Sequence, residues 1–319
     1  MPGSRLCLAE REEIRAGIER GDSLRQIARL LGRAASTVWR EVVRGSNLEG
    51  RYVAVGADRK AQMRARRPKP ALLDDPVLYQ RVHRFLVEWR WSPQATAKAL
   101  RSEGIQISHE TIYQHIYRHR FGDPRTVLCR PRFRRKRRTR TGRYPHVLGD
   151  YRPIGDRPGN PNTESGHLEG DLIVGAGNYT AAVVICERQT RFCLLGALPQ
   201  GRNSAHVTDI VCQLLEQVPP PLRKTLTWDQ GRELTRWERI EHRIGTPVFF
   251  CAPHSPWQKP LVENTNGLLR RWLPKRTPIP QTQHTLNNIA HRLNTMPRHS
   301  LQWDTAQNRY DQLRVAMTT

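Results

Sequence analysis

The chain has 319 residues, with 53 Lys+Arg against 29 Asp+Glu, a net charge of +24 and a pI near 10.9. That length accommodates two or three domains with buried cores. No stretch approaches the roughly 18 uninterrupted apolar residues of a membrane span, and the N-terminus lacks the apolar centre of a signal peptide. We therefore expect a soluble, intracellular protein with no membrane partner.

The excess charge is uneven. Residues 1–150 hold 33 Lys+Arg against 15 Asp+Glu, whereas residues 151–319 hold 20 against 14. A strongly basic front half, rich in Arg, joined to a nearly balanced back half predicts a polyanion-binding region attached to a working domain. Arg forks onto phosphate or guanine, which makes nucleic acid the expected polyanion. No amphipathic basic helix or lipidation motif supports binding to a membrane surface instead.

"GDSLRQIARLLGRAASTVWREVVRG" (21–45) reads as a helix-turn-helix. Ser23 and Gln26 fit a capping box, Ile27, Ala28 and Leu31 make one apolar face, and Gly32 is placed to end the helix. Ser36 is the expected cap of a second helix that points Val38 and Val42 inward. Thr37, Arg40, Glu41 and Arg44 are then left facing out. Upstream, Ile14 and Ile18 mark a helix that packs across the pair.

A similar plan recurs over 77–120. "VLYQRVHRFLVEWR" and "SPQATAKALRSEG" supply two helices, with Ser92 as cap and Pro93 at the first helical position. In "ISHETIYQHIYRH", Ser108 caps a third helix with Ile112 and Ile116 inside. His109, Thr111 and Gln114 then lie near its exposed N-terminal end, where base-edge contacts usually arise. Residues 125–143, "RTVLCRPRFRRKRRTRTGR", carry ten Lys/Arg and no acid. Such a block repels itself, and we expect Arg134, Arg135, Lys136 and Arg137 to follow a DNA backbone. The six cysteines form no C-x-x-C pair and are expected to be reduced thiols rather than zinc ligands.

From 167 the texture changes. "HLEGDLIVGAG", "TAAVVICER" and "RFCLLGALP" predict an antiparallel meander. Helix "SAHVTDIVCQLLEQV", strand "TLTWD", helix "ELTRWERIEHRIG", strand "PVFFCA" and the helix begun by "SPWQKPLVENTNGLLRR" follow. The prediction is a mixed five-stranded sheet covered by helices.

Three acids stand out in this half. Asp171 sits inside the first strand, costly for a charge without a partner. Asp229 lies just past the fourth strand, where ligands of α/β sheets collect, and Glu263 leads the last of these helices. Carboxylates that converge repel one another unless a cation lies between them. Oxygen ligands suit Mg²⁺ or Mn²⁺, and two such ions about 4 Å apart serve phosphodiester chemistry. Glu169 points to the same side of its strand as Asp171, as a further ligand or, preferably, an ion-pair partner. His254 and Gln258 flank the turn before Glu263, placed either to orient DNA and water or to hold the loop. Glu233 is expected in the first turn of a helix, satisfied by the dipole. Trp228 and Trp257 border the acids, and core packing is the favoured role over base stacking.

"GHLEGDLIVG", "TLTWDQGRE" and "PHSPWQKPLVENTNGLLRRWLPK" together resemble the DDE transposases of bacterial insertion sequences, specifically the insertion-sequence-thirty family. The last stretch also resembles the equivalent region of retroviral integrases. The resemblance covers essentially the whole chain and is strongest over 166–275. It implies a ribonuclease-H-like catalytic domain behind a helix-turn-helix region. It also implies that Asp171, Asp229 and Glu263 are the catalytic metal ligands, with the 33 intervening residues 230–262 matching the family's spacing. Arg270 falls where these enzymes carry a basic residue, on the face of Glu263 and suited to a DNA phosphate. Two departures occur: Leu168 stands where the family commonly has Trp, and Pro260 replaces a usual Gly.

The expected domains are residues 1–65 and 66–122 as two helix-turn-helix domains, 123–160 as a basic linker, 161–285 as the catalytic domain and 286–319 as a helical tail. The expected activity is metal-dependent strand cleavage and transfer on double-stranded DNA, at the terminal inverted repeats of an element and at a target. Joining two ends requires a homodimer or larger assembly. A repressor with an inert catalytic domain, or a hydrolytic nuclease, would share most of these features.

Overall fold

The computed structural model describes residues 5–47, 49–66, 71–128, 151–253 and 255–317. Arg134, Arg135, Lys136, Arg137 and His254 lie outside the described residues. The chain divides into two compact units, Met1–Ala71 and Leu72–Thr319.

The first unit contains α1 (Leu8–Glu19), α2 (Leu24–Leu30), α3 (Ala35–Gly45) and α4 (Ala54–Arg66). The capping box is present: Gln26 N–H donates to Ser23 Oγ at 3.3 Å and Ser23 N–H to Gln26 Oε1 at 2.8 Å. Gly32 takes φ +60° and Arg33 N–H returns to the Ala28 carbonyl at 2.9 Å. That tight left-handed turn starts α3 two residues earlier than expected. Ala34 is therefore the cap position, and Ser36 lies inside the first turn.

Ile14, Ile27, Ala28 and Val38 form the core with Tyr52, Ala54 and Ala57, while Ile18 is exposed rather than packed. Arg40 and Arg44 face out as expected and Thr37 is half-buried. Glu41 instead turns inward. Its carboxylate pairs with Arg11 Nε at 2.7 Å, and Arg11 also meets Asp58 at 2.8 Å. Arg11 is only 4% exposed, and a guanidinium that deep requires carboxylate partners. This ion cluster clamps α3 to α1 and α4. Arg11→Ala leaves two shielded carboxylates unpaired, and should cost about 3 kcal/mol, read as faster amide hydrogen exchange throughout α1–α4.

The second unit opens with α5 (Pro76–His83), continued by a π turn over Arg84–Glu88, then α6 (Pro93–Ser102), α7 (His109–Tyr117) and the short α8 (Pro124–Val127). Ser92 and Ser108 cap α6 and α7 as expected. His109 and Gln114 are exposed. Thr111 is half-buried, its hydroxyl 2.9 Å from Ser108 Oγ. These helices share a hydrophobic core with the region that follows. Trp91 stacks on Phe85 and donates its indole N–H to the Arg292 carbonyl at 2.8 Å. Trp91, Ala95 and Ala99 pack in one cluster with Leu286, Ile289 and Leu293.

The sheet has five strands: β1 (His167–Val174), β2 (Ala181–Glu187), β3 (Cys193–Ala197), β4 (Thr225–Trp228) and β5 (Val248–Phe250). Their order is β3-β2-β1-β4-β5, antiparallel over the first three strands and parallel from β1 to β4 to β5. This is the mixed sheet that the sequence predicted. Alternation along β2 sends Ala182, Val184 and Cys186 to one face and Ala181, Val183 and Ile185 to the other, as a two-residue period requires. α9 (Ser204–Glu216) and α10 (Glu238–Ile244) cover the second face. α11 (Pro260–Leu269) and α12 (Gln283–Asn294) cover the first. α12, which spans the expected start of the tail, packs on β3 through Asn294, whose amide pairs with both backbone groups of Cys193. α13 (Ala306–Ala316) follows, with Tyr310 stacked on Phe192.

Gly170 sits in β1 against the buried ring of Trp228. A Cβ there would lie 2.1 and 2.2 Å from two ring carbons. Gly170→Ala must push β4, and Asp229 at its end, away from β1. A loss of at least about 2 kcal/mol is expected in a urea titration.

Candidate active site

The parallel register between β1 and β4 sets Glu169 opposite Thr227. Two residues further on come Asp171, still inside β1, and Asp229, just past the end of β4, so the two acids lie side by side. Asp171 is 22% exposed and Asp229 43%. Asp229 Oδ1 accepts the Gly231 N–H at 3.3 Å, closing the turn that follows the strand.

A cation lies between them. Lys259 Nζ is 3.0 Å from Asp171 Oδ1 and 2.9 Å from Asp229 Oδ2, and Lys259 is 6% exposed. Burial alone would lower the lysine pKa, but the two carboxylates overcome it and raise the value. Burial raises the Asp171 pKa, with Lys259 opposing and Asp229 reinforcing the shift. The other Asp171 oxygen accepts from Asn266 Nδ2 at 2.7 Å. Asn266 Oδ1 is buried with no partner among the described residues.

Glu263 stands in the first turn of α11, exposed and with no side-chain hydrogen bond or ion pair among the described residues. The structure thus brings two of the three expected acids together and leaves the third on the open side of its helix. Among the described residues, no three acidic, His or Cys side chains cluster tightly enough to hold a metal ion as they stand. The ammonium of Lys259 fills the space between the aspartates.

Glu169 resolves as an anchor. It is fully buried, ion-paired to Arg188, and accepts the Val262 N–H of α11 at 2.9 Å. Burial raises its pKa, against the pull of that backbone bond and of Arg188. The strand bearing Asp171 is thereby tied to the helix bearing Glu263. Arg270 departs from expectation: its guanidinium donates to the carbonyls of Val174 at 3.0 Å and Leu273 at 3.2 Å, fastening the end of α11 rather than reaching outward.

Gln258 likewise serves its loop, accepting the Ala252 N–H at 2.6 Å. Glu233 lies in a 3-10 turn near Trp228 Nε1, its pKa raised by burial and by Asp229. Trp228 is fully buried, which rules it out for base stacking, whereas Trp257 is 71% exposed. Lys259 and Asn266 escaped the sequence reading. The usable signal was spacing, since they lie four residues before and three after Glu263, Lys259 at the cap position of α11 and Asn266 within it.

Comparison with known proteins accords with this organisation. The Helix-turn-helix domain family matches residues 3–45, and the Integrase core domain family matches residues 161–256. The transposase of insertion sequence element IS1086 from Cupriavidus metallidurans is 40% identical over 299 aligned residues, covering 88% of this chain and 86% of that protein. Transposase InsI of IS30A from Escherichia coli is 38% identical over 318, covering 94% and 82%. The transposase of IS4351 from Bacteroides fragilis is 30% identical over 298, covering 91% and 90%.

A DNA-binding helix-turn-helix ahead of an integrase-type core, with paired aspartates on adjacent parallel strands, defines a DNA transposase, an enzyme of the polynucleotidyl transferase class. Within that class, the chain belongs to the IS30 family of insertion-sequence transposases. Integrase-type cores depend on divalent metal. Among the described residues, no helix is long and apolar enough to cross a membrane.

Glu169→Ala would orphan the Arg188 guanidinium and the Val262 N–H together. A loss of about 3–5 kcal/mol is expected, visible as a lower urea midpoint. Glu169→Gln, which keeps an acceptor for Val262, should cost clearly less.

Proposed function

We propose that Asp171, Asp229 and Glu263 are the metal-binding carboxylates of this transposase. The observation that carries the reading is the parallel register of β1 and β4, which delivers two aspartates to a single cation. The donor set suits a hard divalent ion: two carboxylates already disposed about a positive charge, beside the unpartnered buried oxygen of Asn266. Glu263, exposed in the first turn of α11 four residues after Lys259, turns toward them on this reading. Bound there, a pair of Mg²⁺ or Mn²⁺ ions supplies activation of the attacking oxygen and stabilisation of the leaving one.

The chain's own residues do the positioning. Asp171 and Asp229 fix the ligand spacing through strand register, Asn266 orients Asp171, and Glu169 sets the height of α11. The substrate on this reading is the terminal inverted repeat of the element. It is gripped by exposed positions of the helix-turn-helix such as Arg40 and Arg44, and by His109 and Gln114 of α7. The basic run through Arg134, Arg135, Lys136 and Arg137 follows the phosphate backbone. The 3′-hydroxyl freed at the element end attacks the target phosphodiester directly, and two ends are paired by a dimer or larger assembly.

The test is cleavage and joining of a labelled element-end duplex with Mg²⁺. Asp171→Asn and Glu263→Gln should each lower joining by at least about 100-fold, beyond the cost of losing an outer hydrogen-bonding partner, with duplex affinity unchanged. Cleaved but never joined products from the wild type would replace strand transfer with hydrolysis. Full activity of Glu263→Gln would remove Glu263 from the triad.

A further inference from the structure

We propose that Lys259 is a resident cation of the catalytic site. Its ammonium offsets one of the two negative charges of the aspartate pair in the resting enzyme and must leave before a divalent metal can enter. The proposal rests on the reading of Asp171 and Asp229 as metal ligands.

Three observations lead to it. The Lys259 ammonium lies within 3.0 Å of one oxygen from each aspartate, so it uses the lone pairs that a metal would need. The second Asp171 oxygen is already engaged by Asn266 at 2.7 Å, so both Asp171 oxygens carry a donor while Lys259 stays. Lys259 is 6% exposed, inside the site rather than a surface charge leaning toward it. An ammonium and a divalent ion compete for these oxygens and repel each other at such short range, so metal binding is weakened while Lys259 stays.

The geometry also supplies an exit. Lys259 is the residue immediately before α11, in a non-helical conformation (φ −129°, ψ 57°). Its side chain is a flexible four-carbon stem carrying a compact charge. Rotation of that stem moves the ammonium without disturbing the helix, which Glu169 and Arg270 hold independently. The released cation needs a new anion, and a phosphate of bound DNA provides one. Metal loading and DNA loading then favour each other, because each relieves a cost that the other would otherwise meet alone. By thermodynamic reciprocity the coupling is the same in either order of binding.

The experiment is a Mn²⁺ titration of the full-length protein without DNA, with free Mn²⁺ followed by electron paramagnetic resonance. Lys259→Gln should bind Mn²⁺ at least about fivefold more tightly than wild type, the lower end of ordinary coupling. Lys259→Arg, which retains a charge, should stay near wild type, and Asp171→Asn should weaken binding. Adding an element-end duplex should tighten Mn²⁺ binding more in wild type than in Lys259→Gln.

Equal or weaker binding by Lys259→Gln, with Asp171→Asn still impaired, overturns the displacement. Unchanged binding by Asp171→Asn overturns the metal-ligand reading itself. A measurement on the wild type covers the case of a misfolded variant. Acetylation of Lys259 by acetic anhydride, read by mass spectrometry, should rise several-fold from chelator to saturating Mn²⁺. Unaltered protection would refute the proposal.

Discussion

Like charges side by side on neighbouring strands are the constraint around which the catalytic unit is organised. The register of β1 and β4 puts Asp171 beside Asp229, and Glu169 lies two residues back on the same face of β1. Glu169 and Asp171 are withdrawn from water and burial raises the pKa of each, while the more exposed Asp229 places a further negative charge beside them. Each is therefore met by something positive. Arg188 and a backbone N–H of α11 serve Glu169, and a single ammonium serves both aspartates. A buried charge is tolerated only when it is paired and hydrogen-bonded, and the surrounding side chains are chosen accordingly. Arg157, itself lowered in pKa by burial and then by Arg188, reaches Thr227 of β4 at 3.1 Å.

The same carboxylates also hold α11 in place. Near its start, Val262 N–H meets Glu169; along its length, Asn266 meets Asp171; at its end, Arg270 meets the last carbonyl of β1. All three fasteners run between α11 and one strand, so helix and strand behave as a single element. Beneath them Val262, Leu269 and Leu273 close the apolar contact. Glu263 projects from the exposed side of this rigid pair. Under the proposed triad, its side chain would join the site late while hydrogen bonds to β1 hold the helix that carries it.

What was legible in the sequence was whatever depends on neighbours in the chain. Capping at Ser23, Ser92 and Ser108, the five strands and the strand-end placement of Asp229 all follow from periodicity and turn chemistry. What was hidden depends on partners far away. Glu41 looked solvent-facing because its partner Arg11 lies 30 residues earlier. Arg270 looked free because the carbonyl it binds lies 96 residues away. Gly170 looked like an ordinary strand glycine until register set the Trp228 ring against it. The helices over 76–117 read as a free-standing module because Trp91 gives no sign that its indole will seek the backbone of α12, 201 residues on. Asp171 was conspicuous as a charge inside an apolar strand, but no local rule named the cation that would answer it.

That cation bears on how a strand-cutting enzyme with a net charge of +24 avoids acting wherever it lands. Such a protein binds DNA of any sequence through counterion release, so contact with DNA alone cannot be the signal for chemistry. A site whose ligands are held by an internal ammonium is silent by default, and it stays silent without needing distance or disorder to keep its parts separate. A bound phosphate placed correctly is the partner that makes ammonium release cheap, and correct placement is what recognition of the element end provides. Specific binding energy is thereby converted into assembly of the metal site, and the conversion runs through one side chain at the head of α11.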